Sequence, residues 1–218
     1  MTLSTGNATA GVPAPNDGAE ERASLHSVPA VRSPLVDRFI VRLEKLGVRT
    51  ARVTGDASAV AATVAEALRN AEVKSAMIAD DLGVLREPVR RACNDANITV
   101  FEGDTSADFE PVEAGISLAA FGVAETGSIG VIGNALQPRV ATLLPPVHVA
   151  VVDVATIVAW LDDAGDQLEA LMRPGVDGGL RYASLVTGPS RTADVEKTLA
   201  VGVHGPRILH VIVFEFNS

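Results

Sequence analysis

The sequence predicts an α/β protein built on a mostly parallel β-sheet flanked by helices. Short apolar strand patterns alternate with amphipathic helix patterns through the first half of the chain, and such alternation favours a parallel sheet with helices on both faces. The 218 residues are 47% hydrophobic and 21% charged. A chain of this length and composition can bury about 70% of its unfolded surface in one core, which excludes global disorder.

Residues 1–32 are predicted to form a mobile N-terminal tail. This segment contains several Pro, Gly, Ser and Ala and few large apolar side chains, so burial cannot offset the entropy lost on ordering it. The folded domain, residues 33–218, is predicted to begin at Ser33-Pro34, a good N-cap followed by proline in the first helical turn. An apolar stripe then continues to Leu46, and Gly47 ends the helix.

The next elements alternate between strands and helices. Asp56 is the predicted N-cap of a second helix whose inward face carries Val60, Val64 and Leu68. A third helix has Leu85, Val89 and Cys93 on its buried side. Strands are predicted at 51–54, 74–79 and 98–101, and the third helix at 85–96.

In the middle of the chain, apolar runs without a helix pattern replace the alternation of strands and helices. Two apolar runs, 116–124 and 128–133, read as a hairpin whose turn contains Glu125 and uses Gly127 for a backbone angle that other residues disfavour. After Pro145-Pro146, a buried strand is predicted at 147–152. The remaining predictions are a long helix carrying Ile157, Leu161, Ala164, Leu168 and Leu171, a strand at 181–186, a short helical turn near Asp194 and a closing strand at 208–214.

Charge and cysteine content exclude several classes of protein. A net charge of −9 repels nucleic acid and anionic lipid, so an anion must be bound by a local site. The single cysteine, Cys93, cannot form an intramolecular disulfide or hold an iron–sulfur cluster alone. The longest uncharged runs, 126–138 and 140–152, are too short to span a membrane. We expect a cytoplasmic protein without a membrane span, a signal peptide or a nucleic-acid partner.

Glu125 is the candidate catalytic residue. It lies between two nearly all-apolar strands, a setting that could raise its pKa and suit it to proton transfer or to nucleophilic attack on an acyl group. The alternative is that its carboxylate only accepts hydrogen bonds from backbone amides in a tight turn. The sequence alone favours neither the catalytic nor the backbone-binding role.

Two loops near the C-terminus are candidates for binding an anion. The first, 187–194, follows a strand, and ligands gather at the carboxyl ends of parallel strands. Arginine in such a loop matches a carboxylate or phosphate with its planar fork, whereas the ordinary alternative is a strand-to-helix connection or a simple turn. The candidate ligand-binding residues are Ser190, Arg191, Thr192 and Asp194 of the first loop and His204 and Arg207 of the second.

No metal site and no cofactor are predicted. His148 and His210 lie within apolar strands, where a core imidazole is commoner than a metal ligand. The pairs Asp80-Asp81 and Asp162-Asp163 fit solvated or dipole-compensating positions near helix ends. The chain lacks both the spacing of a dinucleotide fingerprint and that of a triphosphate-binding loop.

Four ordered motifs together resemble the lactate-utilisation protein C family, the LUD domain. They are Ala-Glu-Thr-Gly ending at Gly127, Arg139 followed by Leu-Leu-Pro-Pro-Val-His-Val, the loop 187–194, and Gly-Val-His-Gly-Pro-Arg ending at Arg207. The resemblance covers roughly 34–214 and adds Thr126 and Arg139 to the candidate ligand-binding residues. It implies a fold like those of ribose-5-phosphate isomerase, glucosamine-6-phosphate deaminase and coenzyme A transferases.

The resemblance also implies a role in oxidising L-lactate to pyruvate with iron–sulfur partner proteins. One hypothesis is therefore an accessory or substrate-binding component that holds a small carboxylate or phosphorylated ligand through Arg191 or Arg207. The other is an autonomous enzyme acting on a sugar phosphate, an acyl-CoA or an activated acid, with Glu125 as base or nucleophile. Both place the pocket between the Glu125 turn and the two C-terminal loops, and a homo-oligomer is compatible with either.

Overall fold

The computed structural model describes residues 29–101, 112–133, 136–172, 182–193, 199–201 and 205–217. The predicted tail, 1–32, lies almost entirely outside them, so its mobility stays a prediction. The described part of the chain forms a six-stranded sheet with helices on both faces, a four-stranded sheet packed on one side of it, and a short two-stranded ribbon. This arrangement confirms the predicted α/β class with a mostly parallel sheet.

The six-stranded sheet is parallel throughout its described strand pairs. Its strands lie in the order β1-β12-β7-β4-β2-β3. The central strands, β4, β7 and β12, are almost wholly buried because helices or the second sheet cover both of their faces. The bounds of the six strands are Arg49–Gly55 (β1), Ser75–Ile78 (β2), Thr99–Phe101 (β3), Ala114–Ala119 (β4), Val147–Asp153 (β7) and Ile208–Phe216 (β12).

The four-stranded sheet is mixed and has the order β8-β5-β6-β9. Strand β5 pairs antiparallel with β6 and parallel with β8, and β6 pairs antiparallel with β9. Strands β10 and β11 form the antiparallel ribbon. The bounds of these strands are Phe121–Val123 (β5), Ser128–Gly133 (β6), Ile157–Val158 (β8), Tyr182–Val186 (β9), Arg191–Ala193 (β10) and Leu199–Val201 (β11).

Five α-helices surround the sheets in the described part of the chain. The Asp56 side chain accepts a hydrogen bond of 2.9 Å from the Ala59 backbone N–H and caps the second helix, as the sequence predicts. A 3₁₀ segment, Asp80–Leu85, leads into the third helix. The bounds of the helices are Pro29–Lys45 (α1), Ala57–Asn70 (α2), Arg86–Asp95 (α3), Leu136–Leu143 (α4) and Leu161–Met172 (α5).

The two faces of the six-stranded sheet carry separate cores. Helices α2 and α3 pack on one face, where Ile212 and Phe214 of β12 join the apolar side chains of α2. Helix α1 packs on the other, where Phe39 and Leu43 meet Val211. These cores are built from alternate residues of the same strands, so each buried strand contributes to both.

Helix α4 lies unusually close to the six-stranded sheet. A side chain added at Gly115 of β4 would place its Cβ 1.9 Å from the Ala141 carbonyl oxygen of α4. Only glycine allows this approach of helix backbone to strand backbone.

Three local predictions from the sequence are wrong. Helix α1 begins at Pro29 and contains Pro34 within its first turns, so it starts before Ser33. The run 116–124 is two strands in two different sheets, and only β5 pairs with β6. Ile157 belongs to β8 rather than to the long helix, which begins at Leu161. The helical turn predicted near Asp194 lies outside the described residues, and residues 191–193 before it form the extended strand β10.

Within the described residues, no helix is both long enough and apolar enough to cross a lipid bilayer.

Candidate functional site

The turn after β5 holds Glu125 at the N-terminus of α5. The Glu125 backbone N–H donates to the Ala159 carbonyl at 3.1 Å, and its Oε2 accepts from the Leu161 backbone N–H at 3.0 Å. Glu125 is exposed, so it does not occupy the apolar setting that the flanking strands suggested. The carboxylate accepts from a backbone amide, as in the second interpretation, but the amide belongs to α5 and not to the turn itself. The contact places a carboxylate where a helix N-terminus favours negative charge.

Gly127 completes this turn beneath helix α1. Its φ of 70° lies in the left-handed region, and an added Cβ would stand 2.9 Å from Cγ of Arg42. Glycine is therefore required both by the backbone angle and by the neighbouring side chain. The turn and α1 are fixed against each other at this point.

Three hydroxyl groups connect the Glu125 turn to the first C-terminal loop. The Thr126 and Ser128 hydroxyls are 2.7 Å apart, and Ser128 lies 2.7 Å from the Thr187 hydroxyl. Of the three residues, Thr126 is half-buried, Ser128 is buried and Thr187 is exposed. Hydroxyls both donate and accept, so such a row can turn a donor toward an anion. The structure thus brings Thr126 together with the start of the loop 187–194.

The two C-terminal loops also meet each other. The Ser190 backbone N–H donates to the Pro206 carbonyl at 2.9 Å, and the Arg207 N–H donates to the Pro146 carbonyl at 2.9 Å. Arg207 is exposed and lines a groove of about 370 Å³ that also contains Glu72 and Glu113.

The structure tests the other candidate residues of these loops only in part. The backbones of Arg191 and Thr192 lie in β10 and pair with β11. Asp194 and His204 lie outside the described residues. The shared anion site of Arg191 and Arg207 therefore stays a prediction.

Arg139 lies apart from this cluster. Its guanidinium stacks 4.9 Å from the centre of the Tyr182 ring. Tyr182 pairs with Gly133 at the end of the β6–β9 strand pair that is remote from Thr126. The other end, where Ile129 pairs with Val186, is about 13 Å away at the usual rise of a strand. Arg139 therefore does not join the Thr126 hydroxyl row.

The motif loops meet at the amino edge of the six-stranded sheet, not at the carboxyl ends of its strands. Arg207 and Pro146 come immediately before β12 and β7, and β9 belongs to the antiparallel part of the other sheet. Gly188 lies against Leu46, at the end of α1 just before β1. The expectation that the loop 187–194 follows a parallel strand is wrong, because the sequence does not reveal which sheet a strand joins.

A cationic surface on α1 borders the Glu125 turn, and it is not among the site residues predicted from the sequence. Arg38, Arg42 and Lys45 are exposed and line a groove of about 430 Å³ together with Glu125 and Asp37. We call this the α1 groove. The signal was present in the sequence, since positions 38, 42 and 45 recur at helical spacing on one face.

Both carboxylates of the α1 groove already have partners. Asp37 pairs with Arg52 at 3.2 Å, and Glu125 accepts from the α5 backbone. Arg38 also lies 4.6 Å from the centre of the Trp160 ring. The groove therefore concentrates positive charge in an acidic protein.

An apolar cavity of about 360 Å³ lies elsewhere, between α5 and the four-stranded sheet. Its walls include Phe121, Ile132, Leu161, Leu168 and Leu185. It contains none of the candidate site residues predicted from the sequence.

Among the described residues, four groups that are largely or fully buried have shifted pKa values. Burial raises the pKa of Asp81 to about 6, against the lowering effect of its 3.2 Å hydrogen bond from the Leu118 N–H. Burial lowers the pKa of His148 to about 4, and burial together with the nearby Arg49 charge lowers that of His210 to about 4. Burial raises the pKa of the Cys93 thiol to about 11, so it fits the predicted role of core packing.

Within the described residues, no three His, Cys, Asp or Glu side chains are grouped so as to hold a metal ion. Of the acidic pair at the start of the 3₁₀ segment, Asp80 pairs with Arg86 at 2.7 Å and Asp81 binds the Leu118 backbone. Both carboxylates therefore have protein partners.

Fold and site together define an α/β protein with an open parallel sheet and a second sheet whose motif loops meet beside α1. The family model of the LUD domain matches residues 36–214. The chain belongs to the LUD domain family, as its four motifs predicted.

Relatives with curated names support this assignment. The chain is 30% identical to lactate utilization protein C 1 of Bacillus mycoides over 69% of this chain and 68% of that protein. It is 29% identical to lactate utilization protein C of an Exiguobacterium species over 66% of this chain and 71% of that protein. Another relative, an uncharacterised protein of Neisseria meningitidis serogroup B, is 33% identical, and the match spans 54% of its length.

A solved structure shows the same fold. The crystal structure of a DUF162 family protein from Deinococcus radiodurans matches with a TM-score of 0.62 and 22% sequence identity. The match covers 84% of this chain and 98% of that one. At this level of identity it supports the fold alone.

Proposed function

We propose that this protein is a component of L-lactate utilisation and acts in the oxidation of L-lactate to pyruvate. The observation that carries the proposal is the LUD domain match over 36–214, together with relatives named lactate utilization protein C. The chain spans only part of those relatives, so the proposal rests on the shared domain.

The chemistry of the chain supports a role in which this chain binds the ligand and iron–sulfur partner proteins transfer the electrons. Oxidation of lactate to pyruvate releases two electrons, which a redox group must accept. The only cysteine, Cys93, is buried, and its thiol has a raised pKa. One such thiol cannot hold a cluster. We therefore assign electron transfer to the partners and binding to this chain.

The motif loops are the proposed binding site for a small carboxylate or phosphorylated ligand. The Thr126–Ser128–Thr187 hydroxyls supply adaptable donors, and the Ser190 loop lies against the Pro206 loop. The adjacent α1 groove supplies Arg38, Arg42 and Lys45. In a protein of net charge −9, a local cationic surface of this kind is what an anion requires.

The contacts of Glu125 support a structural role more than nucleophilic catalysis. Its Oε2 already accepts from the α5 backbone, and the side chain is exposed to water. A carboxylate in this position stabilises the helix terminus and positions the turn that carries Thr126. This geometry favours the binding component over the autonomous enzyme.

Growth on L-lactate tests the proposal. Deleting the gene in its own host should abolish growth on L-lactate and leave growth on glucose unchanged, and the wild-type gene should restore it. Complementation with Arg42→Glu should fail, because the change reverses a charge in the α1 groove. Arg91→Glu is the matched control, since Arg91 is exposed on α3 at the opposite face of the sheet, and it should complement.

Two outcomes would contradict the proposal. Undiminished growth of the deletion strain on L-lactate would remove the function. Equal failure of Arg42→Glu and Arg91→Glu, with both proteins folded and abundant, would leave the function intact and remove the assignment of the α1 groove.

A further inference from the structure

A polar cavity of about 360 Å³ lies between helix α2 and the amino ends of β1 and β12. Its walls include Arg49, Thr63, Glu66, Asn70 and His210. Helix α2 covers the face of the sheet opposite to α1. The cavity is therefore separated by the sheet from the motif loops and from the α1 groove.

His210 is an anomaly in this part of the core. It precedes Ile212 and Phe214 on the same face of β12, and both of these pack into the apolar cluster under α2. His210 is only 7% exposed, and its Nε2 has no hydrogen-bond partner among the described residues. A buried polar atom left unpaired carries an uncompensated desolvation cost, which an apolar residue at this position would avoid.

Arg49 provides a cation directly beside this imidazole. The two residues are register partners in the parallel β1–β12 pair, so their side chains leave the sheet on the same side, about 4.8 Å apart at the backbone. The Arg49 charge adds to burial in lowering the pKa of His210 to about 4. The imidazole is therefore neutral at pH 7 and offers one donor and one acceptor nitrogen.

We propose that this cavity binds a small monocarboxylate, with the carboxylate on Arg49 and a neighbouring hydroxyl or keto oxygen on the imidazole of His210. Arg49 is exposed and lines the cavity, so a ligand can reach its guanidinium. It makes no ion pair within the part of the chain that the structure describes. Glu66 lies in the same cavity and repels additional negative charge, which disfavours a phosphate dianion. The site goes beyond the proposed function, because it lies on the other face of the sheet from the motif loops.

Histidine-ring NMR of the full chain tests the proposal, with L-lactate, pyruvate, acetate and inorganic phosphate as probes at constant ionic strength and pH 7. The ring signals of His210 are assigned by their loss in His210→Leu. L-lactate and pyruvate should shift them saturably. Acetate, which lacks the second oxygen group, should bind more weakly, and phosphate should not compete.

Two arginine variants of the same strand provide the matched comparison. Arg49→Gln should weaken binding at least tenfold. Arg52→Gln should change it less than twofold, because Arg52 lies on the other face of β1 and pairs with Asp37. Circular dichroism and thermal unfolding establish that both variants are folded.

Three results would overturn the inference. They are an absence of saturable His210 shifts, an unchanged affinity in folded Arg49→Gln, and equal competition by phosphate. Arg42→Glu separates this site from the one in the proposed function. It should leave the His210 shifts unchanged, whereas their loss in that variant would relocate monocarboxylate binding to the α1 groove.

Discussion

Acidification should destabilise the protein through its buried histidines, and His148 gives the clearest case. The ring is fully buried on β7, its Nε2 lies 2.9 Å from the Ser117 hydroxyl, and its Nδ1 has no partner among the described residues. Burial lowers its pKa from 6.5 to about 4. The difference corresponds to about 3 kcal/mol, since one pKa unit is about 1.4 kcal/mol.

The sign of the effect follows from which state binds the proton first. The unfolded chain takes up a proton on His148 near pH 6.5, whereas the folded chain resists until about pH 4. The contribution of this histidine to stability is therefore present above pH 6.5 and is lost as the pH falls toward 4. His210, whose pKa is also lowered to about 4, adds a second loss in the same range.

The carboxyl group of Asp81 affects the pH dependence of stability in the opposite direction from the histidines. Its pKa is raised from 3.8 to about 6, so the folded state holds a proton that the unfolded state releases. Its stabilising contribution is present at low pH and is lost as the pH rises through 6. Between pH 4 and 6 it offsets one histidine, which leaves a net fall of about 1.4 kcal/mol per pH unit on acidification from these three groups.

Urea unfolding at pH 4.5 and 6.5 measures the contribution of His148. The double variant Ser117→Ala/His148→Leu removes both polar partners together, so neither is left buried and unpaired. Its free energy of unfolding should fall by about 2 kcal/mol less over this range than that of the wild type. An identical fall in the two proteins would refute the assignment of acid sensitivity to this histidine.

Two further predictions concern the fold and the Glu125 turn. Gly115→Ala should destabilise the protein by about 3 kcal/mol or more in urea, because the added Cβ meets the Ala141 carbonyl. In Gly165→Ala the added Cβ meets nothing within 4 Å, so this variant should gain about 0.5–1 kcal/mol; similar effects of the two would contradict the close approach. Glu125→Ala should cost about 1 kcal/mol and speed hydrogen exchange at the Leu161 amide, whereas Glu125→Gln should retain most protection; equal exchange in both would remove the capping role.

Local chemistry made much of the fold predictable from the sequence. Asp56 has the residue type and spacing of an N-cap and does cap α2. The apolar stripe through Phe39 and Leu43 is the buried face of α1. The Glu-Thr-Gly turn fixes its shape through Gly127. Each of these features depends on neighbours within a few residues, so the sequence pattern contains the information.

Features that depend on distant partners were not predictable in the same way. The chain changes sheets at Ala120, whose N–H donates to the Gly130 carbonyl at 2.7 Å, yet the flanking apolar residues form one uninterrupted run. The loop at Thr187 follows a strand, but that strand joins the four-stranded sheet, which moves the loop to the amino edge of the larger one. Strand order is set by packing between remote segments and leaves no local signal.

In the candidate site, too, local features were predictable and features that depend on distant segments were not. The motifs singled out Thr126 and the loops at Ser190 and Arg207. The structure joins Thr126 to the first loop and the two loops to each other, and their role in binding a ligand stays a prediction. The setting of Glu125 depended on where α5 begins, and that was misplaced. The α1 groove was missed because an exposed cationic helix face has many ordinary explanations.

Lactate-dependent electron transfer in cell extracts tests the central claim most directly. The rate at which L-lactate reduces an artificial electron acceptor is measured in extracts of the wild type, of the gene deletion, and of the deletion supplied with the purified chain. The proposed function predicts loss of the L-lactate-dependent rate in the deletion extract and its recovery on adding the chain, with no turnover by the purified chain alone. An undiminished rate in the deletion extract, or full turnover by the isolated chain, would contradict it.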